Sequence, residues 1–186
     1  MKKINIVVMC FFAAVVLASA LFAADKPDSL KLAAFRSAAD SVPGWTEQKD
    51  RFRSFGTKEL YELIDGGAVE YIKPGLVCGI TMFLSGASNR SAELYIEDFG
   101  SKPRARDMVK EKRKKASEPK LLPGSGDKNA FYDGVIGGCV VYFSSGRFYF
   151  EMILTGYDKQ ETAVQDAGIF MGRLMEKNLK VVEKSK

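Results

Sequence analysis

Two pairs of apolar runs, each closed by a tight turn, constrain this chain most. Residues 76–84 and 92–99 flank a turn-forming stretch at 86–90, and residues 135–143 and 147–155 flank Ser144-Ser145-Gly146. Runs of this length around short turns form β-hairpins, and hairpin strands are antiparallel. In the second run, Leu94 and Ile96 alternate with Glu93, Tyr95 and Glu97, so one face is apolar and the other polar. Residues 129–133 add a short strand before the second hairpin.

Helical spacing fills the intervals. Thr57 can cap a helix beginning at Lys58. Leu60, Ile64, Ala68 and Tyr71 then keep helical spacing through Asp65-Gly66-Gly67 to Ile72, before Pro74-Gly75 stops it. Pro103 suits the first turn of a second helix ending near Ala116. Residues 160–179 predict a third, with Ala163, Ala167, Phe170 or Met171, and Leu174 as its stripe. The order helix, hairpin, helix, hairpin, helix defines an α+β fold: an antiparallel sheet built from two hairpins and covered by helices. Residues 57–180 form this single domain and 181–186 a tail. Residues 25–56 read as an irregular lead-in, with a short helix over 29–40, a turn at Pro43-Gly44 and Trp45 as a core plug.

The chain opens with Met1-Lys2-Lys3. No charge follows until Asp25, and small residues gather at Ala18, Ser19, Ala20, Ala23 and Ala24. That pattern predicts a secretory signal peptide over residues 1–24, cut after Ala20, Ala23 or Ala24. The alternative is an uncleaved anchor, since an apolar run of about 20 residues can span a bilayer. Cys10 lies mid-run, where it reads as a small hydrophobe rather than a lipid attachment point. Export places the domain in the periplasm or outside the cell.

Removing 24 of the 186 residues leaves 162, a length suited to one domain. The leader holds two lysines and no acid, so the net charge of +5 falls to +3 and argues for no particular partner. The chain has no histidine. Histidine triads, histidine metal sites and imidazole switching are therefore excluded. No metal site and no cofactor loop can be assembled. After export only Cys78 and Cys139 remain; they either pair as a disulfide or stay as two buried thiols.

Gly44-Trp45 and the run Leu60-Tyr61-Glu62-Leu63-Ile64-Asp65-Gly66-Gly67-Ala68-Val69-Glu70-Tyr71 resemble a family of exported bacterial proteins of unknown function. Its members carry a Gly-Trp lead-in and a "LYEYIDGAAELY"-like helix. Residues 93–101 are similar to the family's following strand, and Gly146-Arg147-Phe148-Tyr149-Phe150 to its later glycine-aromatic strand. The likeness spans most of the chain after the leader, but only the helix motif is specific. It departs after Ser101, where Lys102-Pro103-Arg104-Ala105-Arg106 is more basic than the family pattern. The resemblance implies export and a shared α+β fold, and it carries no activity.

Three groups of residues stand out as candidate sites. Asp65, Gly66 and Gly67 are the first, because each glycine inside a helix costs about 1 kcal/mol against alanine. Close packing of helix on sheet explains the pair; a backbone surface open to a ligand beside Asp65 is the functional account. The second group is Glu93, Tyr95 and Glu97, on one face of a strand. The two carboxylates stand about 13 Å apart, beyond the separation a glycosidase pair uses, so the face reads as solvated. The third is the basic helix, with nine basic and three acidic residues from Lys102 to Lys120. Arg104, Arg106, Lys110, Lys112, Arg113, Lys114 and Lys115 make it a candidate contact for an anionic membrane surface or glycan. Export and the small net charge oppose nucleic acid. The glycines of 124–126 and 134–138 lack phosphate-loop spacing, and the latter read as a turn or bulge.

These features predict an exported domain that binds a ligand or protein in the cell envelope. The alternatives are an enzyme working through carboxylates and tyrosines, and an anionic-surface binder.

Overall fold

The computed structural model describes residues 29–125 and 129–183; the leader at 1–24 and the final tail residues lie outside the described residues. The elements are α1 (Ser29–Asp40), β1 (Trp45–Glu47), β2 (Arg53–Gly56), α2 (Thr57–Ile64) and α3 (Val69–Ile72). They continue with β3 (Cys78–Gly86), β4 (Ser91–Asp98), α4 (Lys102–Lys115), β5 (Lys120–Leu121), β6 (Phe131–Val135), β7 (Gly138–Ser145), β8 (Phe148–Thr155) and α5 (Gln160–Glu183). This is the expected α+β architecture. Among the described residues, no helix is long and apolar enough to cross a membrane.

All strand pairs are antiparallel, in the order β1-β3-β4-β8-β7-β6-β5, and β2 shares the outer edge of β3 with β1. Both predicted hairpins form, β3 with β4 and β7 with β8. They join side by side through β4 and β8, with Ile96 opposite Phe150 and Leu94 opposite Met152.

Alternation along the strands sends the apolar residues to one face. Ile80, Met82, Leu94, Ile96, Val141, Phe143, Phe150 and Met152 pack there beneath Phe35 of α1 and Ala163, Ala167, Phe170 and Leu174 of α5. Phe150 stacks on Phe143 at 4.5 Å and meets Phe35 edge-on at 5.2 Å. Trp45 sits edge-on to Phe170 at 5.1 Å, as a core plug should. The opposite face holds a smaller core, in which Phe55, Leu60, Ala68, Leu76 and Tyr149 meet Ala105, Met108 and Val109 of α4. There the ring of Phe55 lies on Gly79, where a β-carbon would come within 2.5 Å of it.

Several boundaries differ from the sequence expectation. Residues 29–56 are not an irregular lead-in: α1 covers the sheet, and β1 and β2 extend it. Strands of three and four residues are too short to show alternation, and they form by pairing with a ready edge. The expected helix from Lys58 to Ile72 breaks at Asp65, whose φ of 46° ends α2 and begins a 3-10 turn over Asp65–Ala68. Close packing does not explain the glycines there. A β-carbon on Gly66 would meet nothing within 4 Å, and one on Gly67 would make ordinary contact with Ile64 at 3.7 Å. Glycines at 137 and 138 serve the β6–β7 turn, as expected, with Gly137 at a φ of 71°.

The disulfide alternative is also overturned. Cys78 on β3 and Cys139 on β7 are both buried thiols, and β4 and β8 lie between their strands. Three strand spacings amount to about 14 Å, twice the reach of a disulfide. Burial pushes the Cys139 thiol up to about 12.

Two outcomes follow. Phe150→Ala is expected to lower stability by about 3–5 kcal/mol, seen as a fall in the urea midpoint. Denatured, unreduced protein is expected to take up alkylating reagent at both Cys78 and Cys139; mass spectrometry showing neither modified would restore the bridge.

Candidate functional site

On the second sheet face, strand register builds a small lattice of polar side chains. One row across the sheet runs Phe55, Gly79, Glu97, Tyr149 and Ser144. The next runs Arg53, Thr81, Tyr95, Glu151 and Tyr142, and a third runs Phe83, Glu93, Ile153 and Val140. The strands that give the first core its apolar residues thus give this face its carboxyls and phenols.

This face is not solvated, contrary to the sequence expectation. The segment from α2 to α3 and the helix α4 lie over it, and Glu97 is only 1% exposed. Among the described residues, Glu97 Oε2 has no hydrogen-bond partner. Burial raises the Glu97 carboxyl well above the ordinary 4.5, and the nearby Glu151 adds to the shift, against a smaller opposing effect of Lys112.

Glu151 is the hub beside it. Its Oε2 accepts a hydrogen bond from Tyr149 at 2.8 Å and from Tyr71 at 3.3 Å, and pairs with Lys112 Nζ at 3.2 Å. Lys112 also donates to the Tyr71 hydroxyl oxygen at 2.6 Å. The Lys112 and Glu151 side chains are only 14% and 12% exposed. Tyr95 donates its hydroxyl to Glu93, its neighbour along the strand. Burial, followed by the adjoining carboxylates, pushes the Tyr71, Tyr95 and Tyr149 phenols above their ordinary range.

Over these groups lies a cavity of about 270 Å³, lined by Leu60, Ile64, Gly67, Glu70, Tyr71, Tyr95, Glu97, Glu151 and Ile153. Two further depressions adjoin it. One shares Ile153 and reaches Phe83, Ser91 and Thr155; the other shares Tyr95 and reaches Arg51 and Arg53. Glu93 lines both. A larger groove of about 580 Å³ lies between α3 and α4, with Glu70 as the common wall. The cavity, not the groove, contains the buried carboxyl without a partner. Among the described residues, no group of three or more cysteine, aspartate or glutamate side chains is placed to hold a metal ion.

The structure therefore sorts the sequence candidates. Gly67, Tyr95 and Glu97 come together in the cavity, and Glu93 lies beside it. Asp65 and Gly66 are exposed on the turn and do not line it. Lys112 leaves the basic surface and joins the site. Of the other basic residues, Lys110 pairs with Asp107 at 2.8 Å, Lys114 with Glu111 at 2.5 Å and Lys115 with Glu70 at 2.6 Å. Arg113 lies 5.7 Å from the Phe131 ring, while Arg104 and Arg106 are exposed. Sequence reasoning missed Tyr71, Tyr149 and Glu151. Glu151 did carry a signal, as the one charge in an otherwise apolar and aromatic strand.

Fold and site together define an α+β domain with a small acidic cavity on one face of its sheet. No family model matches the sequence, and no curated protein is recognisably similar to it. Among solved structures, the extracellular domain of PknH from Mycobacterium tuberculosis is similar in fold, with a TM-score of 0.53 at 12% identity. The match covers 78% of this chain and 95% of that one.

Glu97 gives stability a definite pH dependence. A carboxyl whose folded value is raised holds its proton longer in the folded state. Its contribution is full below 4.5 and is lost as pH rises through the folded value. Glu97→Gln is expected to flatten that fall, measured by urea unfolding between about pH 5 and pH 8. Parallel curves for the two proteins would contradict the buried, protonated carboxyl.

Proposed function

We propose that this is an exported domain that binds a small ligand in the cavity between β4, β8 and the segment of residues 64–72. The observation that carries the reading is Glu97 Oε2, a buried carboxyl oxygen at the wall of a cavity with no partner among the described residues. Leaving a buried polar atom unsatisfied costs about 1–3 kcal/mol, a cost that a ligand hydrogen bond removes. The turn at Asp65–Ala68 supports the same reading: its glycines are not needed for packing, and Gly67 brings bare backbone to the cavity. Export is supported by the leader pattern and by the fold likeness to a domain described as extracellular.

A second reading, acid-base chemistry on the ligand, is favoured by the inequality of the two carboxyls. Burial keeps Glu97 protonated beyond the usual range, whereas Glu151 is held by Lys112 and two phenols. Such unequal pairs can divide acid and base roles. Contact of α4 with anionic surfaces has less support, because Lys112 turns inward and Lys110, Lys114 and Lys115 have acidic partners.

The test is native mass spectrometry and thermal melting of the purified protein after exposure to a small-molecule extract of the cell envelope. A bound small molecule is expected, with melting raised by several degrees as saturation supplies about 2.7 kcal/mol at a hundredfold excess over Kd. Glu97→Gln is expected to lose most of that rise. No adduct and no rise would count against the cavity. Conversion of the ligand by wild type, with binding but no conversion by Glu97→Gln and Glu151→Gln, would favour the second reading. Recovery of the intact chain from cytosol, with Met1 attached, would remove export.

A further inference from the structure

Resting on the binding proposal above, we infer that the cavity recognises a primary ammonium group on a short apolar body, held by the Glu97 carboxylate. The phenol protons of Tyr71 and Tyr149 are already donated to Glu151, and that of Tyr95 to Glu93. Lys112 gives two of its three donors to Glu151 and the Tyr71 oxygen, Lys115 is held by Glu70, and neither lysine lines the cavity. What the walls still offer is the Glu97 carboxyl, with a proton it can give up to solvent, and further phenol lone pairs. Once the Glu97 proton has left, the site offers acceptors alone and calls for a ligand that donates.

Charge points the same way. From β4 comes Glu97, from β8 Glu151, and from α3 Glu70. Among the described residues, Lys112 pairs with Glu151 and Lys115 with Glu70, both lysines coming from α4. With those two carboxylates matched, Glu97 once ionised leaves room for one added positive charge. Tyr95 presents aromatic surface, which favours a cation, and Leu60, Ile64 and Ile153 provide an apolar wall for its carbon chain. A volume of about 270 Å³ lies at the small end of ligand sites.

Binding also moves a proton. Burial and Glu151 keep Glu97 protonated above the ordinary carboxyl range. An ammonium seated on Glu97 stabilises the carboxylate, so the carboxyl proton leaves to solvent while the ligand keeps its own. Affinity should then rise with pH, by up to tenfold per unit, until Glu97 is ionised in the unliganded protein.

The experiment is calorimetric titration of the full protein with butylamine and benzylamine, their alcohol counterparts, and benzyltrimethylammonium. Repeating it in two buffers of different ionisation enthalpy counts the protons. Both amines are expected to bind at least tenfold more tightly than the alcohols, and benzylamine more tightly than its trimethyl analogue, which cannot donate. Close to one proton should be released per amine, and Glu97→Gln should remove both the preference and the release. Alcohols binding as well as amines, or proton uptake, would overturn the ammonium and leave the cavity as a binding site. So would failure of every probe in a protein that still retains a molecule from the envelope extract. Failure of the probes and of the extract together would overturn both.

Discussion

The pairing of β4 with β8 is the contact on which the rest depends. It joins two hairpins into one sheet, and it works on both faces at once. On one side it sets Ile96 against Phe150 and Leu94 against Met152, the centre of the main core. On the other it sets Glu97 against Tyr149 and Tyr95 against Glu151. A one-residue slip would turn the carboxyls into the apolar core and the aromatic and aliphatic side chains out of it. The cost of that exchange fixes the register, so the hydrophobic core also positions the site.

The second face shows how a polar surface becomes a cavity instead of a solvated wall. The segment of residues 57–72 and helix α4 cover the lower rows of the lattice, and the break at Asp65 lets the chain turn above them. Lys112 makes the cover tolerable by meeting Glu151 as both are withdrawn from water. Buried charges persist when paired and hydrogen-bonded, and Glu151 has three such partners on one oxygen. Glu97 lacks such a partner at Oε2 and keeps its proton instead. The contrast between these neighbours is the chemical character of the site.

At the end of β4 the same principle serves architecture alone. Asp98 is fully buried, yet Arg147 meets both its oxygens and the Gly100 amide donates to it at 2.8 Å. That carboxylate ties the β7–β8 turn to the start of α4, whereas Glu97, one residue earlier and facing the opposite way, is turned to the cavity.

Much of the fold was legible because its signals are local. Alternation around Leu94 and Ile96, the turn at Ser144-Ser145-Gly146 and the stripe through Ala163, Ala167, Phe170 and Leu174 all arise within one element, where steric and solvent preferences act on adjacent residues. The oddity of Asp65-Gly66-Gly67 and the polar face of Glu93, Tyr95 and Glu97 were visible for the same reason. Invisible were the short strands β1 and β2, which depend on the edge of β3, and the inward turn of Lys112, which depends on a carboxylate 39 positions away in the chain. The amino-acid order alone determined which residues alternate, where the chain bends and that no imidazole chemistry is available. Only tertiary structure decided that β4 lies beside β8, that Cys78 and Cys139 stand three strands apart, and that Glu97 is dry. Strand order and burial are set by the free energy of the whole packed core, and no single stretch of sequence contains that sum.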